Sequence, residues 1–248
     1  MTKNNGLGTS FLKTLAIAVA ALFVCVNMYA RQNQEKAGDR YGITVLGVYD
    51  YSRTFAHQGG VDIAGHMPFH TYIEADAGFE FLGPNILAGT LVARPKLPLK
   101  VGELFLDAAV HLRSFNTFGI GTFALAASLG YRMDYVSAQL GIQRTAIHDF
   151  RKMPGDKGSD IVEPNLVFRV AVNVRPQTSP WNISLGAGNF TLYQYERLYD
   201  PIFFLGGHYD FTEHLTLQAE VDLKFSGMFN MTTHFNELTA RAGLTYSF

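Results

Sequence analysis

The chain has 248 residues, 17% of them charged and nearly balanced, for a formal net charge of −1. Such balance argues against nucleic acid as a main partner. The single cysteine, Cys25, lies inside an N-terminal apolar run, so neither a disulfide framework nor a thiol-based site is expected.

In chain order, residues 1–30 read as a secretory signal peptide. Lys3 and Lys13 form the basic part, residues 14–26 the apolar core, and Met28-Tyr29-Ala30 a cleavage site in which Met28 is oversized. That core is shorter than the roughly 20 residues a membrane-spanning helix needs. Phe23-Val24 before Cys25 are too large for a lipidation site. Residues 31–40 (RQNQEKAGDR) carry charge without an apolar period, and are expected to be a disordered periplasmic stub.

From residue 41 to 248 the chain reads as one β-domain. Segments 42–55 and 60–67 are followed by 71–82, where Ile73, Ala75, Ala77, Phe79 and Phe81 oppose Tyr72, Glu74, Asp76 and Glu80. A period of two with charge on one side only marks a strand between two different media. After 86–94, segment 101–114 sets Leu104, Leu106, Ala108, Val110 and Leu112 against Glu103, Asp107, His111 and Arg113. Segments 120–131 and 135–148 lead to 162–174, with Leu166, Phe168, Val170 and Val172 against Asn165, Arg169 and Asn173. Next come 181–195 and 202–211, then 215–228, where Leu217, Ala219, Val221 and Leu223 oppose Gln218, Glu220, Asp222 and Lys224. In the last segment, 235–248, Leu238, Ala240, Ala242, Leu244, Tyr246 and Phe248 alternate with Glu237, Thr239, Arg241, Gly243, Thr245 and Ser247.

These segments exceed the roughly 5–6 residues usual in soluble sheets and reach the length of about ten that crosses a bilayer at a tilt. Their count is twelve, or ten if the short segments 60–67 and 86–94 merge with neighbours. Tight or Pro-rich connections are expected near residues 67–69, 94–98, 132–134, 175–180 and 211–214. Generally longer ones fall near 55–60, 115–119, 148–160, 196–201 and 227–234. Short turns at one end and longer loops at the other, with an even strand count, predict an all-β fold. It is a transmembrane antiparallel up-and-down barrel with both termini in the periplasm.

The signal peptide, the amphipathic strands and the terminal Leu244-Thr245-Tyr246-Ser247-Phe248 resemble the Gram-negative outer-membrane β-barrel proteins. The turn-like stretch Leu129-Gly130-Tyr131-Arg132-Met133-Asp134-Tyr135 adds to the likeness, which is one of class and points to no subfamily. It implies an outer-membrane location and recognition of Leu244, Tyr246 and Phe248 by the barrel-insertion machinery.

If the apolar sides face lipid, the lumen receives Glu74, Asp76, Glu80, Arg94, Glu103, Asp107, His111, Arg113, Arg169, Arg175, Glu220, Asp222, Lys224, Glu237 and Arg241. Charges enclosed in this way must pair or stay wet. A turn about residues 231–232 would set Asp222 opposite Arg241. No long inward loop is evident, so two readings stay open: a paired plug across a narrow barrel, or a narrow water-filled passage.

No cofactor, metal or catalytic site is expected. His111 and Asp107, four residues apart on one side, are the nearest approach to a hydrolase pair; Ser184 has no histidine close in sequence. His57, His66 and His70 crowd the first loop and turn, but Pro68 breaks their spacing. Phe190, Tyr193, Tyr195, Tyr199, Phe203 and Phe204 at one end, and Tyr131, Tyr135, Tyr246 and Phe248 at the other, suit interface girdles. Arg144, His148, Arg151 and Lys152 form a basic cluster able to contact lipopolysaccharide phosphates. The functional expectation is a narrow channel or a structural envelope protein surrounded by outer-membrane lipid. A barrel-borne lipid hydrolase and a surface-loop binding protein are the alternatives.

Overall fold

A computed structural model describes residues 40–149, 161–176, 179–228 and 233–248, with backbone alone at 161–163. The strands are β1 (Gly42–Ser52), β2 (Ala56–His70), β3 (Ile73–Leu82), β4 (Ile86–Pro98), β5 (Glu103–Phe115) and β6 (Ile120–Arg132). They continue as β7 (Val136–Asp149), β8 (Ile161–Asn173), β9 (Trp181–Gly188), β10 (Ile202–Asp210), β11 (Leu215–Ser226) and β12 (His234–Ser247). Each strand pairs antiparallel with its chain neighbours, and β1 pairs with β12, so the twelve close into a barrel.

Closure follows from the backbone. A sheet edge in hydrocarbon would leave N–H and C=O groups without partners, at several kcal/mol each. The seam removes that edge through a continuous register from Gly42↔Ser247 to Ser52↔Glu237. At its foot Phe248 N donates to Tyr41 O at 2.9 Å and the two rings stack.

The alternation sorts side chains as their polarity requires. Leu140, Ile142, Leu217, Val221 and Leu244 stand exposed on the outside, whereas Asp62, Glu80 and Arg241 on neighbouring strands are buried inside. A soluble barrel would invert this arrangement. Two bands of outward rings lie at the ends. Tyr51, Phe235, Phe225 and Phe203 contact one another in sequence at one end. Tyr209 with Phe211 and Tyr246 with Phe248 do so at the other.

Several boundaries move. Residues 60–67 belong to a fifteen-residue strand, and 86–94 to a thirteen-residue one, so merger to ten strands does not occur. Pro68 and Pro95 sit within strands rather than making the turns expected at 67–69 and 94–98. Pro68 falls where the β2–β3 register shifts, a place where a missing N–H is tolerated. The β4–β5 turn lies further on, where Gly102 adopts φ 73° and a Cβ would lie 2.3 Å from Arg132 O. The largest change is in β9, which ends at Gly188 instead of running to 195. The proposed signal peptide and residues 31–39 of the proposed stub lie outside the described residues; Arg40, the stub's last residue, pairs with Glu213 at 3.2 Å.

A charge placed on the outer side should be costly. Val221→Arg, mid-strand in β11, is expected to lower folding stability in phospholipid bilayers by about 2–4 kcal/mol. Guanidinium titrations against the native chain measure this.

Candidate functional site in the barrel lumen

The inner wall carries two ionic clusters, each assembled by alternate residues of adjacent strands. Near the end that holds the termini, Arg94 on β4 reaches Glu74 at 3.0 Å and Asp76 at 2.9 Å on β3, and Asp107 at 2.5 Å on β5. Lys96 pairs with Glu74 at 2.8 Å, and His66 with Asp76 at 2.7 Å. Gln139 Nε2 donates to Asp107, and Arg132 pairs with Glu103. The guanidinium groups of Arg94 and Arg132 both lie over the Phe105 ring.

The second cluster centres on Arg241 of β12. It pairs with Asp62 of β2 at 2.6 Å, Glu80 of β3 at 3.1 Å and Asp222 of β11 at 2.5 Å. These partners lie on both sides of the β1–β12 seam, so one guanidinium ties the closure together from within. The carboxylates are nearly inaccessible to solvent, and only a shared cation makes their enclosure tolerable. The Asp222–Arg241 ion pair is present, but not by the expected register. Asp222 lies opposite Thr239 and Arg241 opposite Glu220, two residues from the expected pairing, so the ion pair is diagonal.

Against the second cluster runs a segment the sequence reading placed elsewhere. Residues 189–201, joining β9 to β10, fold into the lumen. Asn189 starts the departure: its Oδ1 accepts from Phe168 N at 2.8 Å and its Nδ2 donates to Leu166 O at 2.7 Å. The side chain thus replaces the strand partner that β8 loses where β9 stops. Phe190 bridges Tyr195, and their rings stack at 5.4 Å. Within this small hairpin Thr191 N donates to Gln194 O at 2.7 Å.

The segment is fastened to walls on opposite sides. The Glu196 carboxylate takes Lys224 at 2.6 Å and lies 3.8 Å from Arg113. Its carbonyl accepts from Asn165 at 2.8 Å and from Gln143 at 3.3 Å. Gln194 donates to Glu237, and Tyr193 lies under Arg241 at 5.2 Å. Leu192 presses on β3 at Gly78, where a Cβ would come within 2.7 Å of the leucine. Only glycine permits that approach. β3 is separated from β9 and β10 by about half the circumference, so the segment spans the lumen.

No protein-family model and no curated protein sequence matches the chain. Solved structures match it in shape. The KdgM porin in complex with disordered oligogalacturonate aligns over 84% of this chain and 99% of its own, at 11% identity and a TM-score of 0.51. The NanC porin aligns over 83% of this chain and 100% of its own, at 12% identity and a TM-score of 0.55. This chain has the outer-membrane porin fold. At such identities the likeness is one of fold.

Within this porin-type barrel, the expected lumen residues Glu74, Asp76, Glu103, Asp107, His111, Arg113, Arg169, Glu220, Asp222, Lys224, Glu237 and Arg241 all lie on inward positions. They form local clusters rather than one network. Arg169 donates to Phe190 O and covers the Phe204 ring at 3.9 Å. Arg175 lies past the end of β8, over Trp181. His111 and Asp107 do not make a hydrolase pair: His111 bonds Thr90 at 2.7 Å, and Asp107 is held by Arg94. His57 pairs with Tyr49 and His66 with Asp76, so the histidines do not converge. The girdle reading fails for Phe190, Tyr193, Tyr195 and Phe204, which face the lumen, and holds for outward Phe203. Arg144 and His148 alternate onto the outer side of β7, while Arg151 and Lys152 lie outside the described residues. Leu244, Tyr246 and Phe248 face outward.

Asp50, Asp62, Lys96, Arg132 and Glu196 escaped the sequence reading. The inward side of β1 carries Leu46 and Val48, which hid its parity; the inward Asp62 shares its parity with Gln58 and His66, the signal that a full-length β2 would have supplied. Removing the hub tests the arrangement. Arg241→Ala leaves Asp62, Glu80 and Asp222 without their cation and should cost about 3–5 kcal/mol of stability. Chemical unfolding followed by fluorescence of Trp181 measures the loss.

Proposed function

We propose that the protein is a narrow outer-membrane channel for small hydrophilic solutes, constricted by residues 189–201 and biased toward cations. One observation carries this reading: ionisable side chains on the inner wall keep contact with water. The side chains of His66, Arg132 and Glu220 are 40%, 33% and 34% exposed although they point into a closed barrel. Eight strands leave an interior that side chains fill; twelve leave more room. Beside the inserted segment, β9–β11 line the remaining space with Ser184, Gly206 and Glu220, and a Cβ on Gly206 would meet both neighbours only at ordinary contact distances.

The bias follows from the wall. Asp50, Asp62, Glu74, Asp76, Glu80, Glu103, Asp107, Glu196, Glu220, Asp222 and Glu237 outnumber Arg94, Lys96, Arg113, Arg132, Arg169, Lys224 and Arg241. A surplus of one sign in a low-dielectric passage concentrates the opposite ion. The KdgM porin is known with oligogalacturonate, whose sugar units each bear a carboxylate. An acid-rich wall argues for a different cargo here. A closed, structural barrel is the second reading, favoured by the double anchoring of the segment.

In planar bilayers the native protein is expected to give a small steady conductance, with a reversal potential toward cation preference in a salt gradient. Replacing residues 190–195 by a Gly/Ser stretch of equal length should raise single-channel conductance severalfold. Absence of steady current in the native chain, with current only in the replaced one, would favour the closed barrel. Glu220→Lys should shift the reversal potential toward anions without loss of folding.

A further inference from the structure

The outer surface breaks the rule that governs the rest of the barrel at one place. Among the described residues of the strands, Arg144 is the only Asp, Glu, Lys or Arg whose position falls on the lipid-facing side. It is exposed there, opposite Leu125 on one neighbouring strand and Pro164 on the other, and it meets no acid among the described residues. A cation on this side is costly at membrane depth unless an anion answers it.

The position indicates the leaflet. β7 leaves the short Met133–Tyr135 connection, at the end holding both termini, and runs toward Asp149 at the long-loop end. Arg144 lies five residues before that end, about 16 Å along the strand at about 3.3 Å per residue and about 12–13 Å along the axis of a barrel whose strands tilt by about 35–45°. It therefore lies in the half of the barrel facing the cell exterior.

Immediately beside it the surface is hollow. Ala108 and Ala127 are register partners and form the floor, while Ile142 and Leu166 complete one side of an open apolar groove of about 640 Å³. The adjacent rows carry larger side chains, so the paired alanines create the depression.

We propose that this groove seats one acyl chain of a phosphorylated outer-leaflet glycolipid, with its phosphate on the Arg144 guanidinium. Exchange of lipid contacts for groove contacts gains little, because tails and aliphatic side chains are equally apolar. The charge-assisted hydrogen bonds to phosphate supply the preference, and the groove holds the lipid beside the charge. The site is independent of the lumen.

Native mass spectrometry of the detergent-purified protein, with bisphosphorylated lipid A, phosphatidylglycerol or phosphatidylcholine added separately, tests this. Lipid A adducts are expected to survive activation that strips the other two. Arg144→Gln should reduce their occupancy by about tenfold. Ala127→Phe, which fills the groove without altering charge, should reduce it as well, and Leu205→Phe on a distant strand should not. Equal retention of lipid A and phosphatidylglycerol overturns the assignment, as does unchanged occupancy in both groove variants. Conductance of the Arg144→Gln protein should match the native value, so failure here is distinguishable from failure of the channel reading.

Discussion

Hydrocarbon offers no partner for a backbone amide, and this constraint shapes every layer of the molecule. A sheet that crosses a membrane must close, so β1 has to meet β12 over their full length. Closure creates an outside and an inside with opposite demands. Apolar side chains of alternate residues satisfy the first. Charged side chains on the intervening residues are then enclosed, and enclosure forces them into pairs. Arg241 is where the demands converge: its partners Asp62, Glu80 and Asp222 come from strands on both sides of the seam, so the ionic cluster and the closure support one another.

A ring of twelve strands encloses more space than wall side chains fill, and residues 189–201 occupy part of it. The substitution at Asn189 is the local device. A strand that stops early would strand the N–H and C=O of its neighbour; the Asn189 amide supplies one acceptor and one donor in their place. That exchange releases the following residues to turn inward, where Glu196 and Tyr193 meet cations and Leu192 meets Gly78. The constriction thus uses the same electrostatic wall that a passage through the lumen presents to solutes.

The outside obeys a simpler rule, and its exception is informative for that reason. Apolar residues, small residues and end-positioned rings satisfy lipid without specificity. Arg144 breaks that rule, and the groove over the paired alanines Ala108 and Ala127 lies one row along the strands from it. Charge and shape coincide there.

Length, alternation and the terminal aromatic strand pointed on their own to a membrane barrel of twelve or ten strands, and to which side of most strands faces inward; the full-length β2 and β4 decided for twelve. Period-two polarity is a local property, and it survives translation into structure because each strand faces the same two media. Even the Asp222–Arg241 pair was legible, although a register two residues from the expected one makes it diagonal. What the tertiary structure alone decided is where contacts are not set by alternation. Tyr193 and Tyr195 are aromatic and near a strand end, so in sequence they look like interface residues. Only Asn189 bonded to β8, and the cations waiting across the lumen, send them inside. The grouping of Arg241 with Asp62 and Glu80 is likewise invisible along the chain, because it exists only once the two ends of the sheet have met.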